Sequence, residues 1–242
     1  EDISARKQLD LLKNRFVSTV SHELRTPLTS IHGALGLILG NALGEPNAKI
    51  RAMLELAEQN SQRLIRLIND ILDMQKIEAG QMSFQFTKVQ LAPLLRCAVN
   101  QMAAYAQQHK VSLELEPVSE DLWVWADSNR LIQVLANLLS NAAKFSFADS
   151  VVQLQVQQQE QLIRITITDQ GPGIDEAFKA VIFRPFSQSD TSDVRNFGGT
   201  GLGLSISKSI IEQHGGTLSF ESTQGKGSSF YIDLKLGSEH IS

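Results

Sequence analysis

The sequence predicts two domains: an antiparallel helical hairpin that dimerises into a four-helix bundle, and a following α/β sandwich. Over the first 80 residues, apolar residues recur at helical spacing on either side of a turn-forming segment from Gly40 to Pro46. After Gly80, short runs typical of strands alternate with helical patterns, which indicates an α/β domain. A chain of 242 residues is long enough for both domains.

Composition and charge exclude several classes of protein. A formal net charge of -4 provides no basic surface, so we expect no nucleic-acid partner. No apolar run approaches the roughly 20 residues that a membrane-spanning helix needs. Because the sequence begins without Met or a signal peptide, we expect a cytoplasmic fragment of a longer protein that is either soluble or membrane-attached. The single cysteine, Cys97, is predicted to be a buried structural thiol.

The first domain is predicted to consist of two helices, from about Leu9 to Leu39 and from about Ile50 to Gly80. The apolar stripe of the first helix comprises Leu24, Leu28, Ile31, Leu35 and Ile38. Two helices alone bury too little apolar surface, so the hairpin predicts a homodimer. We assign residues 1–15 to a linker or signalling helix from an upstream sensor domain, 16–80 to the hairpin and 84–237 to the second domain.

The second domain is predicted to contain a mixed sheet with helices on one face. The predicted strands are Phe84 to Val89, Val111 to Glu116, Trp123 to Ala126, Val151 to Gln157, Leu162 to Asp169, Thr217 to Glu221 and Ser229 to Leu236. The predicted helices are Leu91 to Gln108, Ser128 to Lys144 and Leu202 to Gln213. The segment from Gly225 to Ser228 is predicted to be a hairpin turn.

His22 lies on the wrong side of the first helix for a packing residue. It is about 200° around the helix from Leu24, so its imidazole is predicted to face solvent. Glu23 can fix the imidazole tautomer and receive a proton, and Thr26 shares the face of His22. Pro27 removes a helical hydrogen bond and permits a bend. These neighbours favour a reactive histidine, but taken alone they leave open the alternative of a solvated helix face with a tolerated kink.

A stripe of polar residues on the helix from Ser128 to Lys144 is the first of three candidate nucleotide-binding segments. Asn137 and Asn141 are four residues apart and share a face, and Lys144 follows one turn later. Two amides and an ammonium suit a hydrated Mg²⁺ and phosphates. The plainer alternative, taken alone, is a pair of capping or packing asparagines.

Two glycine-rich segments follow. Asp169-Gln170-Gly171-Pro172-Gly173-Ile174 comes directly after an apolar strand, where a carboxylate can accept the amine of adenine. Taken alone, an ordinary Asp-Gly turn is the better interpretation of this segment. The segment from Gly198 to Leu204 opens a helix, and its backbone N–H groups can bind phosphates. Between them, Phe183 and Phe186 precede a polar stretch from Ser187 to Asn196. We predict that this stretch is a mobile lid, anchored by the two phenylalanines.

In order and spacing, these segments resemble the catalytic core of a sensor histidine kinase. The resemblance comprises an H box at His22, an N box from Asn137 to Phe145, and the G1, F and G2 boxes. It covers nearly the whole chain. It implies a dimerisation and histidine-phosphotransfer hairpin followed by an ATP-binding domain of the Bergerat type. ATP and Mg²⁺ are the implied cofactors.

The resemblance also implies a role for individual residues. His22 would be the phosphoacceptor, Glu23 its acid/base partner, and Thr26 a residue for dephosphorylating the partner protein. Asn141 would be the main Mg²⁺ ligand with Asn137 assisting. The residues implied in ATP binding are Asn137, Asn141, Lys144 (on phosphate), Phe145, Asp169 (on adenine), Gly171, Gly173, Ile174, Phe183, Phe186, Gly199, Thr200, Gly201, Leu202, Gly203 and Leu204.

Partners follow from the same resemblance. It implies a response regulator whose receiver domain docks on the hairpin below His22 and supplies the final aspartate acceptor. Asp2-Ile3-Ser4 is similar to the exit motif of a PAS sensor domain. Two positions depart from the family pattern, because Arg184 replaces an acidic residue and Gln188 stands where many members carry a cation. Lys144 and Arg195 would then carry more of the phosphate charge.

Two alternatives share parts of these patterns. A gyrase- or chaperone-type ATPase would use water as the nucleophile and would not need His22. A dimeric scaffold could bind nucleotide without catalysis or act mainly as a phosphatase, although complete N, G1 and G2 boxes favour an active site. The remaining histidines lack metal-ligand spacing and are predicted at the surface or at helix ends. These are His32, His109, His214 and His240.

Overall fold

Two antiparallel helices make up the first unit as far as the structure, a computed structural model, describes it. The described residues are 24, 26, 28–40, 47–187 and 200–237. The chain divides into two units, Glu1–Met82 and Ser83–Ser242. Helix α1 is described over residues 28–39, and residues 24 and 26 are also helical. Helix α2 is Ala48–Glu78.

Hydrogen bonds between the two helices establish their antiparallel arrangement. The hydroxyl of buried Ser61 donates to the carbonyl oxygen of Leu28 at 3.3 Å, and Nη1 of Arg51 lies 3.5 Å from the carbonyl oxygen of Leu39. The earlier α1 residue, Leu28, bonds the later α2 residue, Ser61, whereas the later Leu39 bonds the earlier Arg51. The two helices therefore run in opposite directions. Asn47 caps α2, because its side chain accepts the N–H of Ile50.

Large apolar side chains remain exposed on this hairpin. Within the described part of the first unit, the exposed set comprises Leu24, Ile31, Leu37, Ile50, Met53, Leu56 and Leu64. Isolated exposed apolar residues are ordinary on protein surfaces, but several on two adjacent helices are typical of an interaction surface.

The second unit confirms the predicted α/β architecture. Its strands are β1 Thr87–Gln90, β2 Ser112–Leu115, β3 Trp123–Ala126, β4 Val151–Gln159, β5 Leu162–Asp169, β6 Thr217–Thr223 and β7 Gly227–Lys235. Its helices are α3 Leu91–Gln108, α4 Ser128–Phe145, the short α5 Glu176–Lys179 and α6 Gly203–Gln213. The predicted turn at Gly225 is confirmed, since β6 and β7 pair as an antiparallel hairpin around it.

The five-stranded sheet is mixed, as predicted. Its strand order is β2-β4-β5-β7-β6, in which β2 and β4 are parallel and the other pairs are antiparallel. Strands β1 and β3 form a separate antiparallel pair. One face of β5 presents Ile163, Ile165 and Ile167, all buried, and α4 packs on this strand. Burial of each such side chain contributes about 1.5–3 kcal/mol.

His214 ends helix α6, as the expectation of a surface or helix-end position allows, and it is buried there. Two expectations about the second unit are wrong. Cys97 is exposed, so it is not a buried structural thiol. The first strand begins at Thr87 and not at Phe84, because the rings of Phe84 and Phe86 pack edge-on against His214 with centroids 5.5 and 5.0 Å away.

Candidate functional site

Helix α4 carries the predicted asparagine stripe, and its start is fixed by Asp127. Oδ1 of Asp127 accepts the N–H groups of Asn129 and Arg130 at 3.0 and 3.1 Å, which caps the helix. Its Oδ2 accepts the N–H of Gln85 at 2.9 Å. Burial raises the pKa of Asp127, but these backbone donors outweigh it and leave the pKa below the usual value.

The two asparagines of this helix have different surroundings. Nδ2 of Asn137 donates to the hydroxyl of Ser207 at 2.9 Å, which joins α4 to α6. Gly203 packs so closely on the Asn137 amide that a side chain there would collide with it. The Asn141 side chain makes no hydrogen bond with any residue that the structure describes. Its amide oxygen is therefore available as a ligand.

The end of α4 meets the loop that follows β5. Phe147 donates its N–H to the carbonyl oxygen of Gln170 at 3.3 Å. A side chain at Gly171 would collide with the Phe145 carbonyl group, so this approach requires glycine. Lys144 Nζ lies 4.6 Å from the centroid of the Phe145 ring, a cation–π distance. The N-box and G1 residues are thus brought together.

Asp169 ends β5 as a buried carboxylate, with only 6% of its surface exposed. Its Oδ1 accepts two backbone N–H groups, from Gly171 at 2.9 Å and from Ser228 at 3.2 Å. Burial raises the pKa of Asp169, and the hydrogen bonds from Gly171 and Ser228 offset this only in part. A buried carboxylate with one oxygen fixed in this way can present the other to a polar ligand.

The loop after Asp169 rests on the turn between β6 and β7. The N–H of Gly225 donates to the Pro172 carbonyl oxygen at 2.7 Å, and the N–H of Ile174 donates to the Ser222 hydroxyl at 2.8 Å. Gly173 has φ +74°, and a side chain there would collide with the backbone of Thr223. Glycine is therefore required at this position by both conformation and space.

The third predicted segment leads into α6. Thr200 accepts the N–H of Leu202 on its hydroxyl at 3.1 Å, and Leu202 is fully buried. Gly201 has φ +71° and packs against the backbone of Phe186. The helix begins at Gly203, one residue later than predicted, with Leu204 in its first turn. Gly199 lies outside the described residues.

The two phenylalanines of the F box differ in environment. The ring of Phe183 packs against that of Phe220 with centroids 5.7 Å apart, and Lys208 Nζ lies 5.3 Å from its centroid. Phe186 is 68% exposed, so the expectation that both rings anchor the following segment is wrong for Phe186. Residues 188–199, which include most of the predicted lid, lie outside the described residues.

Of the predicted H-box residues, the structure describes only Thr26, which is helical and exposed. His22 and Glu23 lie outside the described residues. The roles of all these site residues therefore stay predictions.

Sequence reasoning missed the two serines that hold the Asp169 loop. Ser228 lies opposite Asp169 on β7, and Ser222 lies opposite Ser228 on β6. A pattern in the sequence could have indicated them. Ser228 begins the buried alternating row that continues with Phe230 and Ile232, where an apolar residue is expected.

The described ranges support neither a metal site built from His, Cys, Asp and Glu nor a membrane-spanning helix. They contain no group of three or more His, Cys, Asp and Glu residues that could hold a metal ion. No described helix has both the length and the apolar character to cross a bilayer.

Two family models match the chain. Residues 12–80 match the His Kinase A (phospho-acceptor) domain. Residues 126–238 match the histidine kinase-, DNA gyrase B-, and HSP90-like ATPase family. The second match covers α4, the Asp169 loop and the start of α6.

Individual proteins give the same result. The circadian input-output histidine kinase CikA of Synechococcus elongatus is 39% identical over 91% of this chain and 29% of its own length. The sensor protein GacS of Pseudomonas syringae is 37% identical over 97% of this chain and 26% of its own. The chain thus spans less than a third of these curated relatives. A full-length ShkA structure in complex with AMPPNP has a TM-score of 0.74 and 27% identity, over 93% of this chain and 46% of that one.

Proposed function

Because this chain belongs to the sensor histidine kinase family and forms its catalytic core, we propose that it is an ATP-dependent protein-histidine autokinase of a two-component system. His22 accepts the γ-phosphoryl group of ATP and passes it to an aspartate on the receiver domain of a response regulator. The chain spans only part of its relatives, so this proposal concerns the activity of the core.

The observation that carries the proposal is the buried carboxylate of Asp169 beside the end of α4. A carboxylate with Oδ1 fixed by two backbone donors is suited to accept the exocyclic amine of adenine on Oδ2. The close approach of Gly171 to Phe145 sets this carboxylate near the N-box residues. An adenine nucleotide fits this donor and acceptor set.

The phosphate groups of the nucleotide would lie between α4 and α6. Lys144 supplies a positive charge. The backbone N–H groups at the start of α6, from Leu202 onward, present the positive ends of their dipoles. Asn141 and Asn137 would hold Mg²⁺ through amide oxygens, and its charge would neutralise that developing on the phosphates. Asn141 suits this role better, since Gly203 packs closely on Oδ1 of Asn137.

In the transfer step a neutral imidazole nitrogen of His22 attacks the γ-phosphorus. A P–N bond forms, the bond between the γ-phosphorus and the bridging oxygen breaks, and ADP leaves with that oxygen. Glu23 receives the imidazole proton. The phosphoryl group then moves from nitrogen to a receiver carboxylate, and return of the proton from Glu23 restores the neutral histidine. Thr26, which is helical and exposed, would orient a water molecule that attacks the receiver's aspartyl phosphate, so that inorganic phosphate is released and the carboxylate is restored.

The partners follow from this chemistry. Exposed apolar residues on α1 and α2 support a homodimer in which two hairpins form a four-helix bundle. The receiver docks on the hairpin below His22. An upstream sensor domain of the PAS type supplies the signal, and the use of ATP favours a cytoplasmic location for this core.

Labelling with γ-labelled ATP and Mg²⁺ tests the proposal. We expect acid-labile, base-stable label on the protein and none on a His22→Gln variant. His32→Gln provides the matched control, since His32 lies on the same helix. Label that persists in His22→Gln would show that another residue is the phosphoacceptor.

The same reactions test the alternatives. Inorganic phosphate released without protein label would favour an ATPase of the gyrase or chaperone type, which uses water as the nucleophile. Nucleotide binding with neither label nor phosphate release would favour a non-catalytic scaffold.

A further inference from the structure

Three polar residues lie side by side across the helix-facing side of the sheet. In the strand register Asp169 is opposite Ser228, and Ser228 is opposite Ser222. Asp169 follows Ile167 in one alternating row, and Ser222 follows Phe220 in another. Each apolar row therefore ends in a polar residue, and the three polar residues lie at the same end of the sheet.

Hydrogen bonds connect this polar row to the loop that follows Asp169. The hydroxyl oxygen of Ser222 accepts the N–H of Ile174 at 2.8 Å. The same oxygen lies 3.0 Å from the Ser228 hydroxyl and 3.0 Å from the Gly227 carbonyl oxygen. The backbone N–H of Ser228 in turn donates to Oδ1 of Asp169 at 3.2 Å. The loop is thus fixed at both ends by one set of bonds.

The number of protons limits how these bonds are arranged. Ser222 has one hydroxyl hydrogen, which goes either to Gly227 or to Ser228. In either arrangement the two hydroxyl groups remain bonded to each other, and the Ser222 oxygen still accepts the Ile174 N–H. The bonds therefore lead from Ile174 through Ser222 to Ser228, whose backbone N–H holds Oδ1 of Asp169.

We propose that Ser222 is a positioning residue for base recognition, acting through Ser228 to orient the Asp169 carboxylate toward the exocyclic amine of adenine. This rests on the proposed role of Asp169 as the adenine-binding group. Ser222 acts on Asp169 through a hydroxyl and not through direct contact. Its loss deprives the Ser228 hydroxyl of its partner and leaves the Ile174 N–H without its acceptor.

Binding of ADP and IDP tests this inference without requiring phosphoryl transfer. IDP carries a carbonyl oxygen where ADP carries the amine, so a well-oriented carboxylate disfavours it. Calorimetry with the full chain and Mg²⁺ measures both affinities. In Ser222→Ala we expect ADP affinity to fall about three- to tenfold, the effect of one weakened bond to a charged acceptor, while IDP affinity changes by less than about twofold.

Two further variants separate orientation from folding. Ser222→Thr keeps the hydroxyl and suits a strand, so it should restore the preference for ADP. Ser222→Cys keeps a similar volume but is a weak donor, so it should behave as Ser222→Ala does even if the latter folds poorly. Ser219→Ala is the matched control, because Ser219 lies on the same strand with its side chain exposed.

The outcomes distinguish the two proposals. Loss of the ADP preference in Ser222→Ala and Ser222→Cys, with rescue in Ser222→Thr, supports the positioning role. An equal loss of ADP and IDP affinity, or no loss of either, overturns it and leaves the role of Asp169 intact. If the wild-type protein binds ADP and IDP equally, Asp169 does not recognise adenine, and the inference about Ser222 fails with that role.

Discussion

The imidazole of buried His214 accepts a hydrogen bond on Nε2 from the backbone N–H of Asp127, 3.0 Å away. Its Nδ1 lies 2.7 Å from the carbonyl oxygen of Ile210, so Nδ1 must carry the hydrogen that is donated there. The end of α6 is thereby joined to the start of α4. The rings of Phe84 and Phe86 cover the same imidazole.

Replacing His214 with Phe should destabilise the second unit. The ring remains to pack on Phe84 and Phe86, but the buried N–H of Asp127 loses its acceptor. We expect the free energy of unfolding to fall by about 1–3 kcal/mol, measured by urea denaturation. His109→Phe is the control, because His109 also ends a helix and packs on Tyr105. Equal effects of the two variants would contradict a specific role for the His214 hydrogen bonds.

Asp127→Ala should destabilise the same region by removing a helix cap. Three backbone N–H groups lose their acceptor, and cap removal alone costs about 1–2 kcal/mol. Asp175→Ala is the matched control, since Asp175 caps the four-residue, exposed α5. Urea denaturation of both variants measures the difference. A loss no larger in Asp127→Ala than in the control would show that the Gln85 contact adds nothing.

The pH dependence of this effect has a defined sign. The pKa of Asp127 is lowered in the folded protein, so its contribution to stability is present above the ordinary pKa of an aspartate. That contribution is lost as the pH falls through the lowered value. Wild type and Asp127→Ala should therefore converge in stability in strong acid.

Local patterns were sufficient to predict most elements of the second unit. The limits of Leu162–Asp169 and Trp123–Ala126 match the predicted strands, and Leu91–Gln108 matches the predicted helix. The error at Phe84 has a physical cause. The register pairs Thr87 with Ala126, the last residue of β3, and the N–H of Gln85 is taken by a side chain and not by a strand.

The site was predicted less completely, because its support depends on distant contacts. The asparagine stripe and the Asp169 loop are recognisable locally, since each is a short motif. Ser222 and Ser228 come close to the Asp169 loop only because their strands pair in this register. They lie some 50 to 60 positions from Asp169 in the sequence, so no local pattern connects them to it. Likewise, which face of α3 meets the sheet decides that Cys97 is exposed, and the helical period alone does not fix this.

Gly203→Ala should weaken nucleotide binding. An added methyl group would collide with the Asn137 amide, so the bond from Asn137 to Ser207 would break and α6 would shift from α4. We expect ADP affinity in the presence of Mg²⁺ to fall by about tenfold or more, the equivalent of about 1.4 kcal/mol. Gly33→Ala, in a helix with open space around the glycine, should leave this affinity unchanged. Calorimetry on both variants decides the matter, and equal affinities would contradict the close packing.

ADP binding should weaken in mild acid because of Asp169. Burial raises the pKa of this carboxyl, and only the ionised form is purely an acceptor for the adenine amine. The affinity for ADP should therefore fall as the pH drops through the raised pKa of Asp169, which lies above the ordinary pKa of an aspartate. The free protein takes up a proton in that range. Asp169→Asn should remove this dependence, whereas the exposed Asp175→Asn should keep it. A flat profile for the wild type down to the ordinary range would mean that Asp169 does not contact the base.

Charges placed on the exposed apolar face of α2 should dissociate the proposed homodimer. Met53 and Leu56 are 73% and 60% exposed and lie three residues apart, so they form one apolar patch. Association would bury this patch, and desolvating two carboxylates there is costly. For the double variant Met53→Glu/Leu56→Glu we expect dissociation to become at least about tenfold easier, measured by sedimentation at micromolar concentration. The control, Gln59→Glu/Gln62→Glu, adds the same charges at exposed polar positions with the same spacing. A double variant that dimerises as tightly as its control would place the interface elsewhere on the hairpin, and a monomeric wild type would contradict the dimer itself.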